Sequence, residues 1–148
     1  IRKRGHIIGS HSCSHPDMTS LKREFVYREW ENSLQILSEI INEPVNSAAV
    51  PGGDYNRMVA EVANEAGICF LFTSNPYINV KYVRKCAVIG RYGIKDSSSK
   101  NLILKLANGD KIFWTLKKII WDIKKLIKKI FGNQYTLLRK FYFQIKRK

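Results

Sequence analysis

The hexapeptide His11-Ser12-Cys13-Ser14-His15-Pro16 constrains this chain more than any other stretch. Two histidines four residues apart would share one face of a helix. Pro16 opposes that helix, because a residue before proline is pushed out of the α region. A loop that folds both imidazoles inward is the better picture. The chain's one other histidine is His6, so its imidazole chemistry is confined to the first fifteen positions. Neutral imidazole is the commonest metal ligand, and zinc takes such pairs readily. A pair is only part of a site, since a catalytic zinc usually has three protein ligands and an open position. Two readings therefore stand open here: structural hydrogen bonds in a turn, or two ligands of one metal. Cys13, between the histidines, reads as a small bystander.

The flanking segments read as short strands and amphipathic helices. Arg2 to Gly5 are polar and end in a glycine suited to a helix C-terminus. His6-Ile7-Ile8-Gly9 is β-branched and bounded by glycine, which predicts a buried strand. The histidine loop would then follow that strand's C-terminal end, where parallel α/β architectures build their sites. Thr19 or Ser20 can cap a helix reaching about Asn42. Its stripe of Val26, Trp30, Leu34, Leu37 and Ile41 is expected to pack on a core, and Pro44 to stop it. Asn46 to Val50 predict a strand ending in the tight loop Pro51-Gly52-Gly53-Asp54-Tyr55-Asn56. Proline fixes φ there and the glycines permit positive φ. Asn56 can cap a helix that stops at Gly67, and Ile68 to Thr73 predict a further apolar strand. Val88 to Ile94 predict another, and Asp96 to Lys100 a hydrophilic linker. Asp17 and Asp54 read as loop-stabilising carboxylates. Arg91 either pairs with an acidic residue near the site or faces solvent.

The segment RGHIIGSHSCSHPDMTSL resembles the second motif of the polysaccharide deacetylases, the NodB-like carbohydrate esterases, in which H-S/T-x-x-H-P follows a G-H-x-I-G-S/N approach. VPGGDYN is similar to the family's third motif, and EVANEAGICFLFTS to its next helix–strand unit. The resemblance covers roughly residues 4–95. It implies an α/β fold, a partial and irregular (β/α) barrel, N-terminally truncated. It implies that His11 and His15 bind a divalent metal, zinc foremost, and that Ser12 orients the loop. It makes Pro51, Gly52, Gly53 and Tyr55 a wall of the substrate groove, which Ser12 also lines. The implied substrate is an acetylated polysaccharide or sugar precursor. In the family the base and third ligand are adjacent aspartates, and a late histidine is the general acid. This chain has no such aspartate pair and no histidine after His15, so neither catalytic base nor acid is assigned in it. A deacetylase inactive as this piece is one expectation; a non-catalytic module binding glycan or an anionic membrane surface is the other.

Charge separates the chain in two. Residues 100–148 hold 14 Lys/Arg against two Asp/Glu, a net of +12, whereas residues 1–99 hold 12 against 10, a net of +2. The expected division is a deacetylase-like domain over 1–95 and a linker with a basic helical tail over 96–148. Leu116, Ile119, Ile123, Leu126 and Ile130 predict the buried stripe of a helix over about 111–131, with lysines and both Trp114 and Trp121 opposite. Gly132-Asn133 would end it, before a last short helix over 135–148. Such a tail can pack on the domain, lie on an anionic membrane, or bind nucleic acid. Nucleic acid ranks last, because no recognised motif accompanies the charge. Three cysteines without C-x-x-C spacing argue against a disulfide framework. The chain opens on Ile1 rather than Met and is expected to be a fragment, so missing targeting signals carry no weight. Cell envelope or membrane association is the expected location.

Overall fold

The computed structural model describes residues 2–145. It is a mixed α/β structure in two compact units that divide between Ser99 and Lys100. In the first unit, β1 (Ser47–Ala49), β2 (Phe70–Phe72), β3 (Lys81–Val83) and β4 (Cys86–Ile89) form one sheet in the order β1-β2-β4-β3. β1, β2 and β4 run parallel, and β3 pairs antiparallel with β4. Two helices, α1 (Arg23–Ile41) and α2 (Arg57–Glu65), pack on this sheet, and Met18, Val45, Val50 and Ile68 of the connecting segments complete the core. The second unit holds α3 (Lys100–Ala107) and α4 (Lys111–Ile145).

The core is built as the apolar spacing requires. Val26, Trp30 and Leu34 of α1 are buried, with Leu37 and Ile41 packed against them. They meet Val59, Ala60, Val62 and Ala63 of α2 and Leu71, Cys86 and Val88 of the sheet. The three parallel strands are short and largely buried, as expected when helices cover a sheet. The Asn56 side chain accepts from the Val59 N–H at 2.9 Å and caps α2 as expected. Gly67, at φ +91°, turns the chain into β2.

Several boundaries differ from expectation. Residues 6–9 are not a buried strand: Ile7 is 80% exposed. Only Ser10 bridges the sheet there, beside Ala48, with no strand on its other side among the described residues. Ser10 N–H donates to Ser47 O, and Ala49 N–H to Ser10 O, both at 2.8 Å. α1 starts at Arg23 rather than at Thr19 or Ser20, because Asp17 engages both residues first. Its carboxylate accepts from the Thr19 N–H and hydroxyl, and its carbonyl from the Ser20 hydroxyl. Its other end agrees with the expected limit near Asn42: α1 ends at Ile41, with Asn42 left-handed at φ +52°. The strand expected at 88–94 begins two residues earlier and ends at Ile89, and the hairpin partner β3 has no counterpart in the apolar pattern.

In the second unit, α3 occupies chain that follows directly on the expected linker. α4 continues through Gly132-Asn133 to Ile145 instead of stopping. The Leu116, Ile119, Ile123, Leu126 and Ile130 stripe, expected to be buried against either the domain or a bilayer, is exposed at every position in the chain by itself. Residues 146–148 of the expected last helix lie outside the described residues.

Candidate functional site

Ser10 positions the histidine loop. Its buried hydroxyl pairs with that of Ser33 on α1 at 2.8 Å and accepts from the Ser12 N–H at 3.2 Å. Gly9 must be small, because a Cβ there would crowd Ser47. Beyond Ser10 the loop turns through two left-handed residues, Ser12 at φ +66° and His15 at φ +60°. Both conformations are costly for non-glycine residues and persist only where surroundings hold them. The Ser12 hydroxyl accepts from the His15 N–H at 2.9 Å, which closes the turn. Ser12 thus orients the loop by hydrogen bonding, and a loop replaces the helical turn as Pro16 foretold, but His11 and His15 are both exposed instead of folded inward.

A residue that sequence reading missed secures this loop. The Glu29 carboxylate on α1 accepts from the N–H of Cys13 at 2.9 Å, the N–H of Ser14 at 2.8 Å and the Ser14 hydroxyl at 2.6 Å. Burial alone would push the Glu29 carboxyl up. The hydrogen bonds from Ser14, Cys13 and Ser12 outweigh it and hold the carboxyl below its ordinary range. The available signal was register: Glu29 lies three residues after buried Val26 and four before buried Ser33. An acid in that register faces structure instead of water.

The two imidazoles meet edge to face, with ring centroids 4.9 Å apart. His11 Nδ1 lies 2.8 Å from the carbonyl oxygen of Ala49, in β1. A carbonyl only accepts, so the hydrogen sits on Nδ1 and the His11 Nε2 lone pair is left for an electrophile. A backbone carbonyl that fixes a histidine tautomer in this way is the usual outer support of a metal-bound imidazole. The chemistry of the pair therefore fits two ligands of a divalent ion. Among the described residues no group of three His, Cys, Asp or Glu gathers to hold a metal. Cys13 is exposed, and Asp17 is engaged with Thr19, in the loop-stabilising role expected of it.

The second loop leaves the same edge of the sheet. Pro51–Gly53 form a 3-10 turn directly after β1, with Gly52 at φ +65° and Gly53 at φ +78°. A Cβ on Gly53 would overlap the Ser74 side chain, so glycine here permits both the turn and the close approach of the next loop. Tyr55 is half-buried, and its hydroxyl lies 3.3 Å from that of Tyr77. Burial, then Tyr77, pushes the Tyr55 phenol well above its ordinary range, so it stays neutral at pH 7. Arg91 is exposed, as its solvent-facing alternative has it, and its Nε donates to the Thr73 carbonyl at 3.2 Å. The loops after β1, β2 and β4 thus all stand at the C-terminal ends of parallel strands, and the histidine loop follows the parallel bridge of Ser10 to Ala48. The structure joins the histidine loop to β1 through Ala49, and the Pro51 loop to the loop after β2 through Gly53 and Tyr55.

This arrangement is that of an α/β domain with a loop-built site at one sheet edge. A family model described as polysaccharide deacetylase matches residues 1–71. No curated protein matches the chain. Among solved structures it is similar to the Streptococcus pyogenes deacetylase PplD in complex with acetate, at 21% identity and a TM-score of 0.58. That likeness covers 66% of this chain and 43% of the streptococcal one. It is similar also to IcaB from Ammonifex degensii, at 16% identity and a TM-score of 0.57, over 68% of this chain and 46% of that one. At such identities the likeness is one of fold, and the chain spans less than half the length of either structure.

Proposed function

We propose that this chain carries the metal-binding loop and one groove wall of a metal-dependent deacetylase-type hydrolase. The whole enzyme would remove N- or O-acetyl groups from a polysaccharide or sugar precursor. The observation that carries this reading is the His11 Nδ1–Ala49 carbonyl bond, which presents the His11 Nε2 lone pair beside His15. The family resemblance of residues 1–71 supports it. In this reading β1, β2 and β4 are an arc of an irregular (β/α) barrel, residues 1–95 are the deacetylase-like part, and residues 96–148 are a separate basic element.

His11 and His15 would hold the ion, zinc foremost. A bound divalent ion supplies Lewis acidity toward an acetyl carbonyl and toward water. The chain's own residues do the rest of the holding. Ser12 and Glu29 keep the loop in its left-handed turn, so both imidazoles stay in place when a charge arrives. Pro51, Gly52, Gly53 and Tyr55 form the groove wall, and the neutral Tyr55 ring offers an apolar face to a sugar. Proton transfer needs a base to take a proton from water and an acid to protonate the leaving amine. With no adjacent aspartates and no histidine after His15, these 148 residues lack the family's donors for both steps. Turnover by this chain alone is therefore not expected.

Calorimetric titration of the chain and of His15→Ala with zinc tests the reading, beside acetate release from acetylated chitooligosaccharides. Zinc heat that vanishes in the variant, without acetate release, supports it. Equal heats in both proteins would overturn the ligand assignment, and turnover by this chain would overturn the division of roles.

A further inference from the structure

α4 has two faces of different fate, which the apolar pattern alone does not separate. Phe113, Trp114, Lys117 and Trp121 are half-buried, and α4 meets α3. Lys105 of α3 lies 5.9 Å over the Phe113 ring, Lys117 lies 5.1 Å over it, and the Trp114 indole nitrogen is shielded from solvent. Asp110 starts the helix, its carboxylate accepting from the Phe113 N–H at 3.0 Å. Phe113, between Lys105 of α3 and Lys117 of α4, therefore marks the seam of a helical hairpin. The Ile/Leu face is turned elsewhere. Ile112, Leu116, Ile119, Ile120, Ile123, Leu126, Ile127 and Ile130 are all exposed, from 37% to 77%. At 3.6 residues per turn they fill an arc of about 120° over about 27 Å, with no polar residue inside it.

We propose that this face of α4 docks on an anionic lipid surface. Charge selects that occupant. Residues 100–148 carry a net of +12, from 14 Lys/Arg against two Asp/Glu. By register, Lys117 and Lys124 border the apolar arc on one side, and Lys111 and Lys118 stand beyond Thr115 and Asp122 on the other. A second copy of the chain would bring two such cationic helices together, at a cost in like-charge repulsion. Nucleic acid would use the lysines and leave the isoleucines in water. An anionic bilayer surface takes both, the apolar face entering the headgroup–acyl boundary and the lysines meeting the headgroups. No helix among the described residues is long and apolar enough to cross a membrane, so the fitting pose is in the plane of the surface.

The test is co-sedimentation of the full chain with phosphatidylcholine vesicles, with and without phosphatidylglycerol. The native chain should pellet with the anionic vesicles only, and less as salt is raised. The double variant Ile119→Asp/Ile123→Asp should lose nearly all binding while keeping its helical circular dichroism, since both positions are already exposed. Lys124→Glu, which leaves the apolar face intact, should weaken binding at least about tenfold. Equal binding by the native chain and either variant would overturn the proposal, as would equal binding to neutral vesicles or none to anionic ones. A lipid-free dimer that the double variant dissociates, without vesicle binding, would assign the face to a second copy instead.

Discussion

The histidine loop and α4 are held in opposite ways. Every bond that shapes the loop from outside comes from far along the chain: Ser33 and Glu29 on α1, Ala49 on β1. The loop itself spends its local bonds on holding two left-handed residues. α4 is held from within. Its backbone ladder, the Asp110 cap, the Thr115 hydroxyl on Lys111 O and the Lys118–Asp122 pair are all local. A site that must present two imidazoles at a set separation needs rigid surroundings, which only a packed unit supplies. A surface-binding helix needs only to be a helix, with its apolar face left uncovered.

Breaking the core of the first unit is the hardest test of that contrast. Trp30 is fully buried among Val26, Val59 and Leu71, so Trp30→Ala should cost about 3–5 kcal/mol. Near-ultraviolet dichroism and zinc binding should be lost while much of the far-ultraviolet helical signal persists, because α3 and α4 are held locally. Simultaneous loss of all helical signal would show that the two regions are not independent.

The glycine loop sharpens the comparison next. Gly52 and Gly53 both have positive φ, but only Gly53 has a neighbour where a Cβ would go. Gly52→Ala should cost about 1–2 kcal/mol for the left-handed backbone alone. Gly53→Ala should cost about 1–3 kcal/mol more, because Ser74 must move as well. Equal urea midpoints for the two variants would mean that the loop after β2 is not seated on Gly53.

Glu29 carries the smallest effect and a signature in pH. Its carboxyl is held below its ordinary range in the folded chain. Its contribution is therefore fully present above the unfolded glutamate pKa and is lost as pH falls through the lower, folded value. Hydrogen bonds to a charged acceptor suggest about 1–3 kcal/mol, and partial exposure places this one toward the low end. Glu29→Gln should lower the native stability at pH 7 and remove that acid-side slope, measured by urea unfolding across the acid range. A variant with the native slope would show that another carboxylate produces it.

Much of this was legible in the chain. Pro16 after His15 excluded the helical turn, because the ring constrains the residue before it locally. The Val26-Trp30-Leu34 stripe, the Asn56 cap and the paired glycines after Pro51 likewise act over a few residues, and each stands where expected. The H-S-x-x-H-P motif marked the two imidazoles and the family resemblance. What failed was long-range. Ile7 and Ile8 have strand composition, yet residues 6–9 are not a strand, because a strand exists only where a neighbour pairs with it. Thr19 and Ser20 are good caps, but Asp17 took their hydrogen-bonding groups first.

The sequence by itself determined the local punctuation of this protein: loop, caps, turns, apolar stripes and the pair of imidazoles. Only the tertiary structure decided which tautomer His11 takes, because Ala49 O stands 38 residues away. It decided that Glu29 holds the site loop, a role invisible until α1 lies beside that loop. It also decided that Phe113 of α4 meets Lys105 of α3 while the isoleucine side is exposed. Periodicity identifies a face of a helix; what covers that face depends on the elements that pack against it.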